Sequence, residues 1–172
     1  HKIVKLINYC DMSTLFFELL LLIIIANGAP IVIRVLLRDG FNYAVDFGQT
    51  MPDNRPVFGS SKTWRGILAA LISTSLAALL LGHSLETGLL VAIYAVAGDL
   101  LSSFIKRRAA LKPSSMAPLL DQVPESLLPA LMMRHHFGLD YTSVMQLVLI
   151  FIIIELVLSH ILYRWGIRKR PY

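Results

Sequence analysis

Hydrophobic residues come in long runs along this chain, and polar residues gather between them. Leu15–Leu37, Gly66–Gly82, Leu85–Ile105 and Ser143–Leu162 are near-continuous apolar stretches. Pro118–Met133 is shorter, at 16 residues, and carries Asp121, Pro124, Glu125 and Pro129. A membrane-crossing helix needs about 20 apolar residues, and runs of this kind read as buried helix, not as alternating strand. The pattern predicts an all-α integral membrane protein of five transmembrane helices. Its fourth segment is expected to be broken or re-entrant, with irregular backbone turned to a polar cavity and away from lipid. Asn27-Gly28-Ala29-Pro30 interrupts the first run, where the missing amide of Pro30 predicts a kink. Residues 1–13 read as a short amphipathic lead.

The connections between the runs differ sharply. Asp39–Arg65 is a polar loop of 27 residues, and Lys106–Ala117 is a second, basic one. Gly82-His83-Ser84 and Arg134-His135-His136-Phe137-Gly138 are tight turns. A loop as long as the first is usually functional or disordered. No polar stretch is long enough for a second domain, so residues 1–172 are expected to form one unit. The chain opens on His1 and not on Met, so its first residue is expected to follow a cut in a longer sequence.

Composition agrees with the runs: 56% of residues are hydrophobic and 16% charged, against about a quarter charged in soluble domains. One cysteine, Cys10, excludes an internal disulfide. The net charge of +5 matters less than its placement. Arg38, Arg55, Lys62 and Arg65 lie in or beside the first loop. Lys106, Arg107, Arg108 and Lys112 lie in the second, and Arg164, Arg168, Lys169 and Arg170 in the tail. Only Lys2, Lys5 and Arg134 fall on the other side. Cations favour the cytoplasmic face. The expected location is the cell membrane, multi-pass, with both long loops and the C-terminus in the cytoplasm and the N-terminus outside. That parity holds only if the fourth run crosses.

The third run ends in Gly98-Asp99-Leu100-Leu101-Ser102-Ser103-Phe104-Ile105-Lys106-Arg107-Arg108. Asp99 lies about 9 Å inside the basic end of that helix, and an ionisable group in a membrane helix is a functional candidate. Asp99, Ser102, Ser103 and Lys106 share one helix face. A carboxylate, hydroxyls and an ammonium together suit a metal-bound phosphate. Asp121 can enter the same cavity from the fourth run, or merely cap a helix. Ser60-Ser61-Lys62-Thr63 opens the second run, where helix amides and a lysine favour anions. Its Gly-Lys spacing is not that of a P-loop.

These residues resemble a known family. Ser103-Phe104-Ile105-Lys106-Arg107, Lys112 and Asp121 are similar to the signature of CDP-diacylglycerol synthases, and Lys62-Thr63-Trp64-Arg65-Gly66 to a second element of theirs. The closer resemblance is to the five-span CDP-archaeol synthases. It rests on Asn27-Gly28-Ala29-Pro30, Asp46-Phe47-Gly48, Arg55 to Gly66, Gly98 to Arg108 and Ala117 to Gln122. Pro113, Gln122 and Pro124 depart from the diacylglycerol-type pattern, leaving Asp99 and Asp121 as metal candidates with Glu125 as a weaker one.

The resemblance implies a Mg²⁺-dependent nucleotidyltransferase: CTP and a lipid phosphate give a CDP-lipid and pyrophosphate. It implies Asp99, Asp121 and Lys106 as catalytic residues, with Asp99 and Asp121 holding the metal. Asn27, Ser60, Ser61, Lys62, Thr63, Trp64, Arg65, Ser103, Arg107 and Lys112 are expected to bind the nucleotide. The implied lipid is an isoprenoid-ether glycerol phosphate, with phosphatidate or another lipid phosphate as the alternative. Membrane lipids are partners and nucleic acid is not; the oligomeric state is open, a homodimer included. From a different class, a small anion transporter or flippase uses the broken fourth segment as its site.

Overall fold

The computed structural model describes the backbone of residues 2–38, 40–111 and 119–165, and side chains within these from Ser13 onward. The protein is all helical: α1 (Lys2–Leu37), α2 (Trp64–Leu80), α3 (Leu85–Arg108), α4 (Gln122–Met133) and α5 (Tyr141–Arg164). Among the described residues three segments are long and apolar enough to cross a membrane: Ser13–Leu37, Leu85–Arg108 and Tyr141–Arg164. α2, at 17 residues, and α4, at 12, fall short by that measure.

The boundaries have local causes. α1 runs unbroken through the expected lead, since neither Pro nor Gly interrupts the chain before Gly28. Pro30 lies inside it. Thr63, in extended geometry, caps α2 by accepting from the Gly66 amide. Ser84 caps α3 through the Thr87 amide, and Asp140 caps α5 through the Ser143 amide at 2.8 Å. Such caps satisfy the orphan amides of a helix start. α4 is one short continuous helix that tolerates Pro129 in its interior.

Leu19, Leu22 and Ile23 of α1, Val91 of α3, Ala130 of α4 and Val144, Leu147 and Phe151 of α5 form the buried core. Small residues permit close helix approach. A Cβ on Gly88 would lie 2.6 Å from Ser75 Cα of α2. A Cβ on Gly98 would lie 2.7 Å from Glu125 Cα and collide with the Pro124 carbonyl of α4. Large apolar side chains such as Leu68, Ile72, Leu76, Leu149 and Ile153 point outward. In water they would form the kind of apolar surface that soluble monomers avoid.

At one end of the bundle His83 meets Glu18 at 2.9 Å, and His136 meets Thr87 at 3.2 Å. The α2–α3 and α4–α5 turns therefore lie together there. The first loop and the end of α3 lie at the other end, where Arg108 grips Asp53 at 2.7 Å and the Pro56 carbonyl at 2.7 Å. α4 thus reaches from the loop end to the turn end despite its length.

Candidate functional site

The first loop is held in shape by one carboxylate. Asp46 accepts from the amides of Gly59 at 2.8 Å, Phe58 at 2.9 Å and Gly48 at 3.1 Å. Burial pushes its pKa up, but these amides stabilise the anion more and hold it below the ordinary carboxylate range. Gly59 turns with φ of +94°, a conformation that costs glycine nothing. Val45 donates to the Lys62 carbonyl at 2.8 Å, and Trp64 to the Tyr43 carbonyl at 3.0 Å. Together these bonds carry Ser60, Ser61 and Lys62 to the mouth of α2.

That mouth opens on a cavity of about 280 Å³. Ser60, Ser61, Lys62 and Thr63 line it from the loop, Arg65 and Gly66 from α2, Asp99 from α3, and Pro30, Arg34 and Arg38 from α1. Lys62 Nζ lies 2.5 Å from Asp99 Oδ1. Burial pushes the Lys62 ammonium down, but Asp99, and then Glu125 and Asp121, outweigh it and hold it above its usual range. Asp99 on α3 touches this lysine, and Glu125 on α4 and Asp121 just before it lie within electrostatic reach.

Asp121 stands at the start of α4 without capping it. Its carboxylate instead pairs with Lys106 at 2.6 Å, with Arg107 in electrostatic reach. Lys106, Arg107, Ser103 and Glu125 are all buried. Ser102 donates to the Asp99 carbonyl at 2.9 Å. The close α3–α4 contact at Gly98 is what sets Glu125 beside Asp99.

Other expected site residues have structural partners or lie apart from the cavity. The Thr63 hydroxyl caps α2. Arg65 donates to the carbonyls of Arg38, at 2.7 Å, and of Gly40, tying the end of α1 to the start of α2. Trp64 is exposed, with its ring 6.4 Å from that of Phe47. Asn27 donates to the Ile23 carbonyl at 3.0 Å and faces a separate groove between α1 and α5. Lys112, Pro118 and the tail cations Arg168, Lys169 and Arg170 lie outside the described residues. Sequence reasoning left Arg34, Arg38 and Asn42 out of the site. Their one signal was that Arg34 and Arg38 close the first run within a helical turn of each other.

Among the described residues no three His, Cys, Asp or Glu side chains close on one point. Mg²⁺ needs less: one or two carboxylates, with phosphate oxygens and water completing the shell. Asp99 and Asp121 fit that donor chemistry, and their lysine partners are the groups a polyphosphate attracts. The cavity as built suits a polyanion that brings its own oxygens.

Comparison with known proteins places the chain in a family. The description of the CDP-archaeol synthase family matches residues 81–172, and that of the cytidylyltransferase family matches residues 13–118. The CDP-archaeol synthase of Aeropyrum pernix is 32% identical over 162 residues, covering 90% of this chain and 89% of that protein. The one from Hyperthermus butylicus is 36% identical over 104 residues, covering 57% of this chain and 59% of its own length. A solved structure of an intramembrane enzyme for archaeal membrane lipid biosynthesis matches with a TM-score of 0.69 at 30% identity, covering 83% of this chain and 90% of that one.

Proposed function

The chain belongs to the CDP-archaeol synthase family, and on that premise we propose that it transfers the cytidylyl group of CTP to a membrane lipid phosphate. A phosphate oxygen of the lipid attacks the α-phosphorus of CTP. A new P–O bond forms, the bond to the bridging α–β oxygen breaks, and pyrophosphate leaves. The lipid phosphate is already a nucleophile, so catalysis is chiefly positioning and charge neutralisation. The observation that carries this reading is the pair of lysine–aspartate contacts, Lys62–Asp99 and Lys106–Asp121, drawn together by the α3–α4 contact.

In this reading Lys62, Lys106 and Arg107 hold phosphate oxygens, and Ser60, Ser61 and Ser103 add hydrogen bonds. Asp99 and Asp121 hold Mg²⁺, which when bound neutralises charge on the phosphates. Glu125, buried on α4, is a further acidic group within electrostatic reach of Lys62. The lipid is a glycerol phosphate with two isoprenoid ethers, as the relatives' name suggests, with phosphatidate as the alternative. The whole chain acts as one catalytic unit.

All five helices are proposed to cross. α2 is about 26 Å long and α4 about 18 Å, and the contacts at both ends of α4 support its passage from the loop end to the turn end. The loops and site then face the cytoplasm of the cell membrane, with the N-terminus outside. The polar groups concentrate at one end, which favours an enzyme over a transporter, whose pathway would line the full depth.

Purified protein given labelled CTP, Mg²⁺ and a panel of lipid phosphates should form CDP-lipid and pyrophosphate only when all three are present. Transport of a soluble anion into liposomes, without any CDP-lipid, would overturn the proposal.

A further inference from the structure

A lipid phosphate needs two things at once: cations for its head and a hydrocarbon wall for its chains. α1 offers both on adjacent faces. Pro30, Arg34 and Arg38 face the polar cavity. Roughly a quarter turn away around the helix, Gly28, Ile31, Val35 and Leu36 line a groove of about 290 Å³ whose opposite wall is Ile154 and Leu158 of α5. We infer that Arg34 and Arg38 clamp the phosphate of the lipid substrate, and that the α1–α5 groove takes one of its hydrocarbon chains. This inference rests on the lipid-phosphate reading above.

The charges favour it. Asp99, the acid that lines the cavity, already pairs with Lys62, and Asp121 beyond its lining pairs with Lys106. Arg65 is engaged by backbone carbonyls. Among the described residues, no salt bridge involves Arg34 or Arg38. Arg34 and Arg38 are four residues apart on one face, about 6 Å along the axis, which suits a planar donor pair gripping one phosphate.

The groove fits in length. It follows α1 from Ile24 to Leu36, about 18 Å of helix, close to the depth of one leaflet of a hydrocarbon core about 30 Å thick. Its accessible wall is almost wholly hydrocarbon. The polar residues along it are already engaged: Asn27 donates to the Ile23 carbonyl, and Glu155 and Ser159 interact within the protein. Arg34 and Arg38 sit at the end of the groove where the chain of a bound lipid would meet its head.

The experiment measures CTP-dependent turnover, and lipid-phosphate retention by native mass spectrometry, on the full chain. Arg34→Gln and Arg38→Gln should each raise KM for the lipid phosphate by about tenfold or more, with KM for CTP within about twofold. The unchanged KM for CTP also shows that the fold survives. Arg34→Lys should recover part of the loss. A rise in KM for CTP instead, or no change in either, overturns the clamp and leaves snorkelling arginines.

Gly28→Leu probes the groove, because a Cβ at Gly28 meets nothing within 4 Å. It should weaken use of a lipid phosphate with long chains and spare one with four-carbon chains. Equal effects on both, or a changed oligomeric state with lipid use intact, overturns the groove assignment. The retention measurement separates this inference from the proposed activity. Lipid phosphate held through Arg34 and Arg38 without turnover would sink the activity and keep the clamp. Turnover indifferent to both arginines would do the reverse.

Discussion

Gly98→Ala is the sharpest test of how the fold builds the site. The added Cβ would lie 2.7 Å from Glu125 Cα, where ordinary contact begins at 3.4 Å, and would press on the Pro124 carbonyl. The obstacle is backbone, so no side chain can swing aside. α4 must retreat by at least about 0.7 Å. Overpacking of this kind costs about 1–3 kcal/mol, and the better helix propensity of Ala returns about 1 kcal/mol. The net stability loss is thus about 0–2 kcal/mol. The site suffers more. Asp99 neighbours the substitution, and Asp121 and Glu125 ride on or beside the helix that moves. A misplacement of about 1 Å costs roughly a hundredfold in rate. Turnover of labelled CTP into CDP-lipid should therefore fall about 10- to 100-fold, in kcat more than in KM for CTP. The temperature of half-inactivation should drop only by several degrees. Wild-type turnover in Gly98→Ala would refute the argument, and so would a loss of activity that merely tracks unfolding.

Three further outcomes are expected. Asp99→Asn and Asp121→Asn should each lower turnover by orders of magnitude at saturating Mg²⁺, and wild-type activity in Asp99→Asn would remove it from the site. Asp121→Asn should also lower thermal stability, since it removes the charge facing the buried Lys106 ammonium; adding Lys106→Met should restore stability and not turnover. The depressed pKa of Asp46 means that its support of the loop is complete above its unfolded pKa of about 4 and is lost as pH falls below that. Proteolysis within residues 44–63 should accelerate below about pH 4 in the wild type and at every pH in Asp46→Ala, and a flat pH profile for the wild type would contradict the amide cradle. Asp140→Asn should be nearly silent and Asp140→Ala should lower the temperature of half-inactivation, because Asn caps a helix and Ala does not.

The apolar runs alone determined the class, the positions of α3 and α5 and the end of α1, because lipid demands continuous hydrocarbon of a set length; the start of α1 at Lys2, through the expected lead, they did not. The runs gave the boundaries of α2 and α5 to within a few residues, and the structure supplies the local cause, a capping Thr63 and a capping Asp140. Asp99 and Asp121 stood out as candidates because charge is costly in such runs, and Lys62 because it stands at the mouth of α2. Pairing was not. Asp99 and Lys106 share a face of α3, yet Asp99 takes Lys62 from 37 positions away and Lys106 takes Asp121. Helix periodicity fixes which residues share a face, and only packing fixes what that face meets. The same limit hid Arg34 and Arg38. Asn27 and Arg34 fall close together on one helical wheel, but α2 closes on Pro30 at Gly66, where an added Cβ would lie 3.3 Å from Pro30 Cβ. That contact turns one side of α1 to the cavity and leaves Asn27 to the groove. Gly98 looked like any small residue in an apolar run, and its role exists only because the backbone of α4 lies against it.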